Sequence, residues 1–194
     1  PGDFVLVDQF IDRTYLREKS FFGKGCVAHV SLAHPTCNNF SKIIFEIGKK
    51  LEIKIQLGGT YMTMEGPQFS TLAESKLYKD NWKCDVIGMT NMPEAKLAKE
   101  AEICYTSLSM VTDFDCWHPD HDSVEVSDII ETLTNNSSKA QRIIETLPEF
   151  LKSNKDLCSL GCNNALDNAI ITAPEKRDPK VLKTLDVLLQ RLNK

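Results

Sequence analysis

Apolar positions along this chain fall into runs and stripes whose spacing lays out an alternation of strands and helices. Residues 4–11 (FVLVDQFI) form an almost unbroken apolar run that gains acids at Asp8 and Asp12, the pattern of a buried strand. Charged and aromatic positions over 13–24, with Gly23 and Gly25, predict a loop. Residues 26–32 (CVAHVSL) read as a short strand carrying His29, stopped by Pro35. Phe40, Ile43, Ile44 and Ile47 recur at helical spacing between Asn39, a capping residue type, and Lys49 and Lys50, which suit a helix C-terminus. A helix over 40–51 follows. Residues 53–57 alternate as a strand, Gly58-Gly59 turns the chain, and 60–65 return as another strand. Gly66-Pro67 breaks that strand, and Thr71 with Glu74 makes a capping box that opens a helix reaching to Lys79.

The second half continues in the same way. Residues 85–89 (DVIGM) predict a buried strand, and Pro93 suits the first turn of a helix over PEAKLAKEA. That helix feeds into residues 103–111, apolar on both faces as in a central strand. Strand, helix and strand with short links predict a parallel βαβ unit with a right-handed crossover. Ser127 is placed to cap a long helix with Ile129, Ile130, Leu133, Ala140, Ile143, Ile144 and Leu147 as its apolar stripe. Residues 135–138 (NNSS) are a weak stretch where it can kink or fray, and Pro148 lies near its end. Residues 181–192 give one more amphipathic helix, peripheral, after Pro174 and Pro179. The expected architecture is a single α/β domain, a mixed buried central sheet flanked by helices.

Composition narrows the function. With 194 residues, 42% apolar and 26% charged, the chain can bury a full core, and it holds no 18-residue apolar run or signal-peptide pattern. A soluble, cytoplasmic protein is expected, with no membrane partner. A net charge of −4 argues against a nucleic-acid partner. Seven cysteines without an exported context predict reduced thiols. Cys158 and Cys162 are the only close pair, and without a second pair they predict no metal site. His118 and His121 beside Asp120 and Asp122 mimic a metal cluster but sit in a polar loop stretch, so no metal is expected there either.

Chemistry concentrates where the strand over 103–111 ends. Asp113 and Asp115 flank Phe114 and precede Cys116 and Trp117. Two acids at i and i+2 of an extended segment point the same way, about 6–7 Å apart at Cα. They would face one pocket at the carboxyl end of a buried strand, while a solvated turn or helix cap is the plainer alternative. Glu65-Gly66-Pro67-Gln68-Phe69-Ser70 joins a strand to a capped helix. Its free N–H groups and aromatic suit a flat polar ligand, or simply a strand-to-helix turn.

Taken in order, EGPQFSTLAES, DVIGMTNMPEAKLAKEAEICY and MVTDFDCW resemble the nucleoside phosphorylase family, beginning at PGD-x-V-x-x-DQFIDRT. The resemblance spans residues 1–150, and the tail over 151–194 diverges from it. It implies a pentosyltransferase that cleaves 5′-methylthioadenosine with inorganic phosphate as co-substrate, needs no cofactor, and serves purine and methionine salvage. It further implies a homotrimer with sites near subunit interfaces, in the cytoplasm and also the nucleus. Phe69 would lie against the nucleoside, Ser70 border the base, Met89 meet the ribose and Thr90 the phosphate. Asp113 and Asp115 would face purine N7 and the 6-amino group as the catalytic pair, one carboxyl raised in pKa by the other. Val126, Ile129 and Ile130 would line the apolar end for the methylthio group. His29 falls where the family reaches across a subunit boundary, although a core histidine is the alternative for that apolar strand.

Base choice follows from the same resemblance. Relatives that act on 6-oxopurines carry Phe-Glu in place of Phe69-Ser70 and Asn in place of Asp113, so adenine is the expected base. A broader purine nucleoside phosphorylase and a non-catalytic nucleoside-binding protein are the alternatives. The second arises because the family's Gly-rich phosphate loop and Arg-His pair precede a segment like the one at Pro1. The expectation is therefore a domain lacking its N-terminal phosphate-binding part.

Overall fold

The computed structural model describes residues 1–118, 126–153, 158 and 160–192, with the side chains of 126–129 and 153 outside that description. The first apolar run divides at Asp8 into β1 (Phe4–Val7) and β2 (Gln9–Arg13), and the two halves enter different sheets. β3 (Ile55–Leu57) pairs parallel to β1 on one side, and β6 (Ser107–Met110) antiparallel on the other. The second sheet is all parallel, in the order β2, then β4 (Thr60–Met64), then β5 (Val86–Gly88). The mixed sheet expected from the sequence is thus realised as two three-stranded sheets sharing two continuous stretches, 4–13 and 55–64, which run parallel in one register. Gly58-Gly59 therefore does not turn the chain back as expected but passes it straight on, because both glycines stay bonded to the neighbouring stretch. The Asp8 carboxylate fixes the switch point by accepting the Gly59 N–H, while Gly59 O accepts from the backbones of Asp8 and Gln9.

β1 explains its own apolar run. Phe4 and Leu6 pack with Ile44, Ile47, Ile53 and Ile143, whereas Val5 and Val7 face Tyr61 on the other side. Burying each such aliphatic side chain contributes about 1.5–3 kcal/mol, so both faces are committed to the core. Ile44 and Ile47 come from α1 (Asn38–Lys50), and Ile143 from α4 (Val126–Ser153).

Several local expectations are corrected. The segments over 85–89 and 103–111 are not a parallel pair: α3 (Glu94–Glu100) connects β5 of one sheet to β6 of the other. The link ahead of β6 is bound to the start of α1, with Cys37 N–H on Tyr105 O and Ser41 hydrogen-bonded to Thr106. Those bonds carry β6 away from β5 and onto β1. Residues 26–32 form no strand ladder, only isolated bridges, because their backbone partner is the irregular tail around Ala169–Ile171. Their apolar side chains, with Phe22, build a second cluster against Leu166, Leu185 and Leu189.

Asn39 lies inside α1, whose cap position is Cys37. Ser127 likewise lies within α4 rather than ahead of it. α4 runs unbroken through 135–138 and over Pro148, held in mid-course by the fully buried Asn136, which donates to Val111 O at 3.1 Å. The helix expected over 181–192 is two short pieces, α5 (Pro179–Thr184), capped by Asp178, and α6 (Asp186–Leu189). The Thr71–Glu74 capping box is present and opens α2 (Leu72–Lys76), which continues as a π-helical turn over Leu77–Asn81. Among the described residues no helix is long and apolar enough to cross a membrane.

Candidate active site

β2, β4 and β5 run parallel and end at one edge, at Arg13, Met64 and Gly88. The carboxyl edge of such a sheet is where loops converge on ligands. A cleft of about 290 Å³ opens there, lined among others by Arg13, Tyr15, Met64, Phe69, Ser70 and Tyr78.

Glu65, directly after β4, organises one wall. Its carboxylate accepts the backbone N–H groups of Tyr15 and Leu16 and the Arg17 Nε at 3.1 Å. Those two N–H groups, Tyr15 first, hold the carboxyl below its usual range, with Arg17 assisting against the opposing effect of burial. Arg17 also donates to Glu65 O and Met92 O, so one guanidinium ties the loop after β4 to the loop after β5. Gly66, at φ +73°, takes a backbone conformation that favours glycine, and a Cβ there would stand 2.6 Å from Met89 Sδ. That close approach seats Met89 against the 65–71 loop.

Thr90 is held from β4. Its hydroxyl lies 3.1 Å from the Tyr61 hydroxyl, and its carbonyl accepts from Thr63 Oγ1 at 3.1 Å. A Cβ on Gly88 would overlap that Tyr61 hydroxyl, so the glycine is what leaves Tyr61 room to reach Thr90.

The segment after β6 arrives from the other sheet. Asp115 accepts a hydrogen bond from Ser75 of α2 and from the backbone N–H of Cys116 at 2.8 Å. The Cys116 thiol packs against Ser70 O at 3.7 Å, and Ser70 Oγ lies 3.3 Å from Met64 Sδ. Asp113 has a different partner, the Thr112 hydroxyl at 2.6 Å. Phe114 stacks on His118, ring centroids 4.6 Å apart, with Trp117 edge-on to Phe114.

Met89, Thr90 and Asp115 are thus held against the loops leaving β4 and β5 and against α2, next to the cleft rather than lining it. Of the predicted residues, Ser70 and the 82% exposed Phe69 line the cleft itself. Asp113 lies two residues from Asp115 on the same connecting segment. His29 is elsewhere along the chain's packing. It is exposed, off any strand, with its backbone N–H on Ala169 O, which removes the core-histidine alternative. Ile130 is on α4 and 57% exposed, while the side chains of Val126 and Ile129 lie outside the described residues. His121, Asp120 and Asp122 of the histidine-acid stretch also lie outside them.

Sequence reasoning missed Ser75, Tyr61 and Arg17. Ser75 follows the capping-box glutamate directly but carries no local signal, because its burial and its partner Asp115, 40 positions on, emerge only in the fold. Tyr61 carries none, because an aromatic in a strand reads as core. Arg17 sits in a charged loop stretch, and its own partners, Glu65 and Met92, lie 48 and 75 positions away.

The Phosphorylase superfamily model matches residues 1–149. Over 194 residues, the whole chain, it is 59% identical to the S-methyl-5′-thioadenosine phosphorylase of Cereibacter sphaeroides, covering 67% of that protein. It is 57% identical over 192 residues to the protein of the same name from Bradyrhizobium diazoefficiens, covering 99% of this chain and 66% of that one. The chain thus spans about two thirds of the length of the curated relatives it matches. Among solved structures, a methylthioadenosine phosphorylase sourced from an antarctic soil metagenomic library superimposes with a TM-score of 0.90 at 41% identity, covering 97% of this chain and 66% of that one. The methylthioadenosine phosphorylase of Schistosoma mansoni in complex with adenine gives 0.78 at 29% identity, covering 86% and 65%.

Proposed function

The chain belongs to the phosphorylase superfamily, and from that premise we propose that it carries out phosphorolysis of 5′-methylthioadenosine, a pentosyl transfer yielding adenine and 5-methylthioribose-1-phosphate. The observation that carries this reading is the joining of Asp115 and Cys116 to Ser75 and Ser70, which seats an acidic segment against the cleft at the parallel sheet's edge.

Cleavage of the glycosidic bond leaves positive charge on the ribose and negative charge on the departing purine. A proton donated at N7 by Asp113 stabilises that leaving group, and Asp115 accepts from the 6-amino group. Phosphate supplies both the nucleophile at the anomeric carbon and the counter-charge to the sugar, with Thr90 among its donors and Met89 against the ribose. Ser70 in place of a glutamate removes an acceptor that would repel adenine N1, and Phe69 covers the nucleoside. The exposed Ile130, with Val126 and Ile129, receives the methylthio group. His29, exposed on one subunit, serves the 5′ side of its neighbour's sugar in a homotrimer, acting in the cytoplasm.

The test is incubation with methylthioadenosine with and without phosphate, with products separated by chromatography. Adenine and methylthioribose-1-phosphate appearing only with phosphate is the expected result. Phosphate-independent release of free methylthioribose would make the protein a hydrolase, and no adenine at all would leave it a binding protein.

Two further outcomes are expected. Tyr61→Phe removes one hydrogen bond, about 0.5–1.5 kcal/mol, from Thr90, so KM for phosphate should rise about two- to tenfold with kcat little changed. An unchanged phosphate KM would take Thr90 out of the phosphate site. Ile130→Asn should narrow the preference for methylthioadenosine over adenosine by about tenfold, the worth of a thioether in an apolar slot. A constant ratio of kcat/KM values would place the methylthio pocket elsewhere.

A further inference from the structure

Four sulfurs meet at a place the proposed reaction does not use. Cys37 occupies the cap position of α1, Cys104 lies in the link between α3 and β6, and Cys158 and Cys162 belong to the tail. Their Sγ atoms nevertheless all lie within 4.8 Å of one another. All four are reduced cysteines outside any disulfide, Cys37 and Cys162 buried, Cys104 and Cys158 half-buried. We propose that these four thiols form a closed structural site for one zinc ion, which fastens the tail to the α/β body.

The geometry favours a single small ion. Tetrahedral zinc with Zn–S bonds of about 2.3 Å places its sulfurs about 3.8 Å apart. Sulfurs already within 4.8 Å reach that spacing by closing about 1 Å or less. An iron–sulfur cluster of four irons needs more room, because each thiolate then binds a separate iron. Four sulfur donors without oxygen also select a soft, thiophilic ion over magnesium or calcium.

The surroundings are built for negative charge. The Cys162 N–H donates to Cys158 Sγ at 3.0 Å, and the Lys99 ammonium stands 3.8 Å from Cys162 Sγ. Lys99 is buried at 7% exposure, and among the described residues it has no carboxylate within ion-pair distance. A buried ammonium without an anion is costly, and a thiolate at Cys162 removes that cost. Four thiolates around a dication keep a net negative charge, which Lys99 and the Cys162 N–H offset. The two tail cysteines have no nearby partner pair in sequence. The fold supplies it from positions 37 and 104.

The experiment takes the full chain, reduced and incubated with zinc, then freed of excess metal and analysed by mass spectrometry for bound zinc. About one zinc per chain is expected, with a loss of tenfold or more in affinity in Cys104→Ser and Cys162→Ser. Cobalt(II) in its place should give intense thiolate charge-transfer bands with the visible bands of a tetrahedral ion. Because either serine variant can fail to fold, the unsubstituted chain is also melted with and without a strong zinc chelator. The chelated chain should melt several degrees lower and recover on zinc addition. A reduced, folded chain that takes up no zinc overturns the proposal. So do cobalt spectra without thiolate bands, a melting temperature indifferent to zinc, or these cysteines found as disulfides in the native chain.

Discussion

Replacing Asp113 by alanine is expected to lower kcat/KM for methylthioadenosine by about 100- to 10,000-fold, the range supplied by a positioned proton donor at a leaving group. Asp113→Asn should behave differently. An amide donates to a 6-oxo group without needing a proton of its own, so inosine should lose far less than adenosine, or gain. The comparison is kcat/KM for both nucleosides in both variants. Equal proportional losses would mean that Asp113 does not read the purine. The Thr112 hydroxyl at 2.6 Å bonds one oxygen of this carboxyl, and among the described residues the other accepts no hydrogen bond, so it is open to a base.

Asp12→Asn is expected to destabilise the chain by about 1.5–3 kcal/mol at pH 7, the range for hydrogen bonds to a charged group. Burial alone would raise this carboxyl. It is outweighed by Lys96, by the Thr14 hydroxyl and N–H, and by Lys19, which together hold it well below the usual carboxylate range. A carboxyl depressed in this way binds its proton more weakly folded than unfolded. Its stabilisation is therefore complete above the unfolded value of about 3.9 and is lost as pH falls from there toward the folded value. Urea unfolding of both proteins should show a gap that is full at pH 7 and narrows below about pH 4. A gap independent of pH would mean that the pairing with Lys96 and Lys19 contributes nothing.

What could be read from the sequence divides along physical lines. Local signals survived: the stripe of α1, the Thr71–Glu74 capping box and the short strands over 60–64 and 86–88 follow from neighbours within a few residues. Gly58-Gly59 has the composition of a chain reversal, yet 55–64 runs straight on, held parallel to 4–13 in one register by a partner stretch about fifty positions away. Choices of partner did not. The apolar pattern of 103–111 specifies a buried strand but not which sheet receives it, and that is decided by Tyr105 and Thr106 bonding to the start of α1. Residues 26–32 have strand composition but no regular strand to pair with, since the tail beside them is irregular. For the site, the motif segments placed Ser70, Met89, Thr90 and Asp115 on converging loops. Ser75 and Arg17 escaped notice because their partners lie 40 or more positions away.

The single residue between β1 and β2 sets a limit on how this chain can vary in length. Side chains along a strand alternate between faces with a period of two. One residue gained or lost at Asp8 would turn Phe10 and the rest of β2 to the opposite face while β1 stayed locked by the strands on either side of it. The loop over 14–22 follows the same stretch without that constraint of phase. In descendants of this sequence, insertions should accumulate in the loop and be purged from the join.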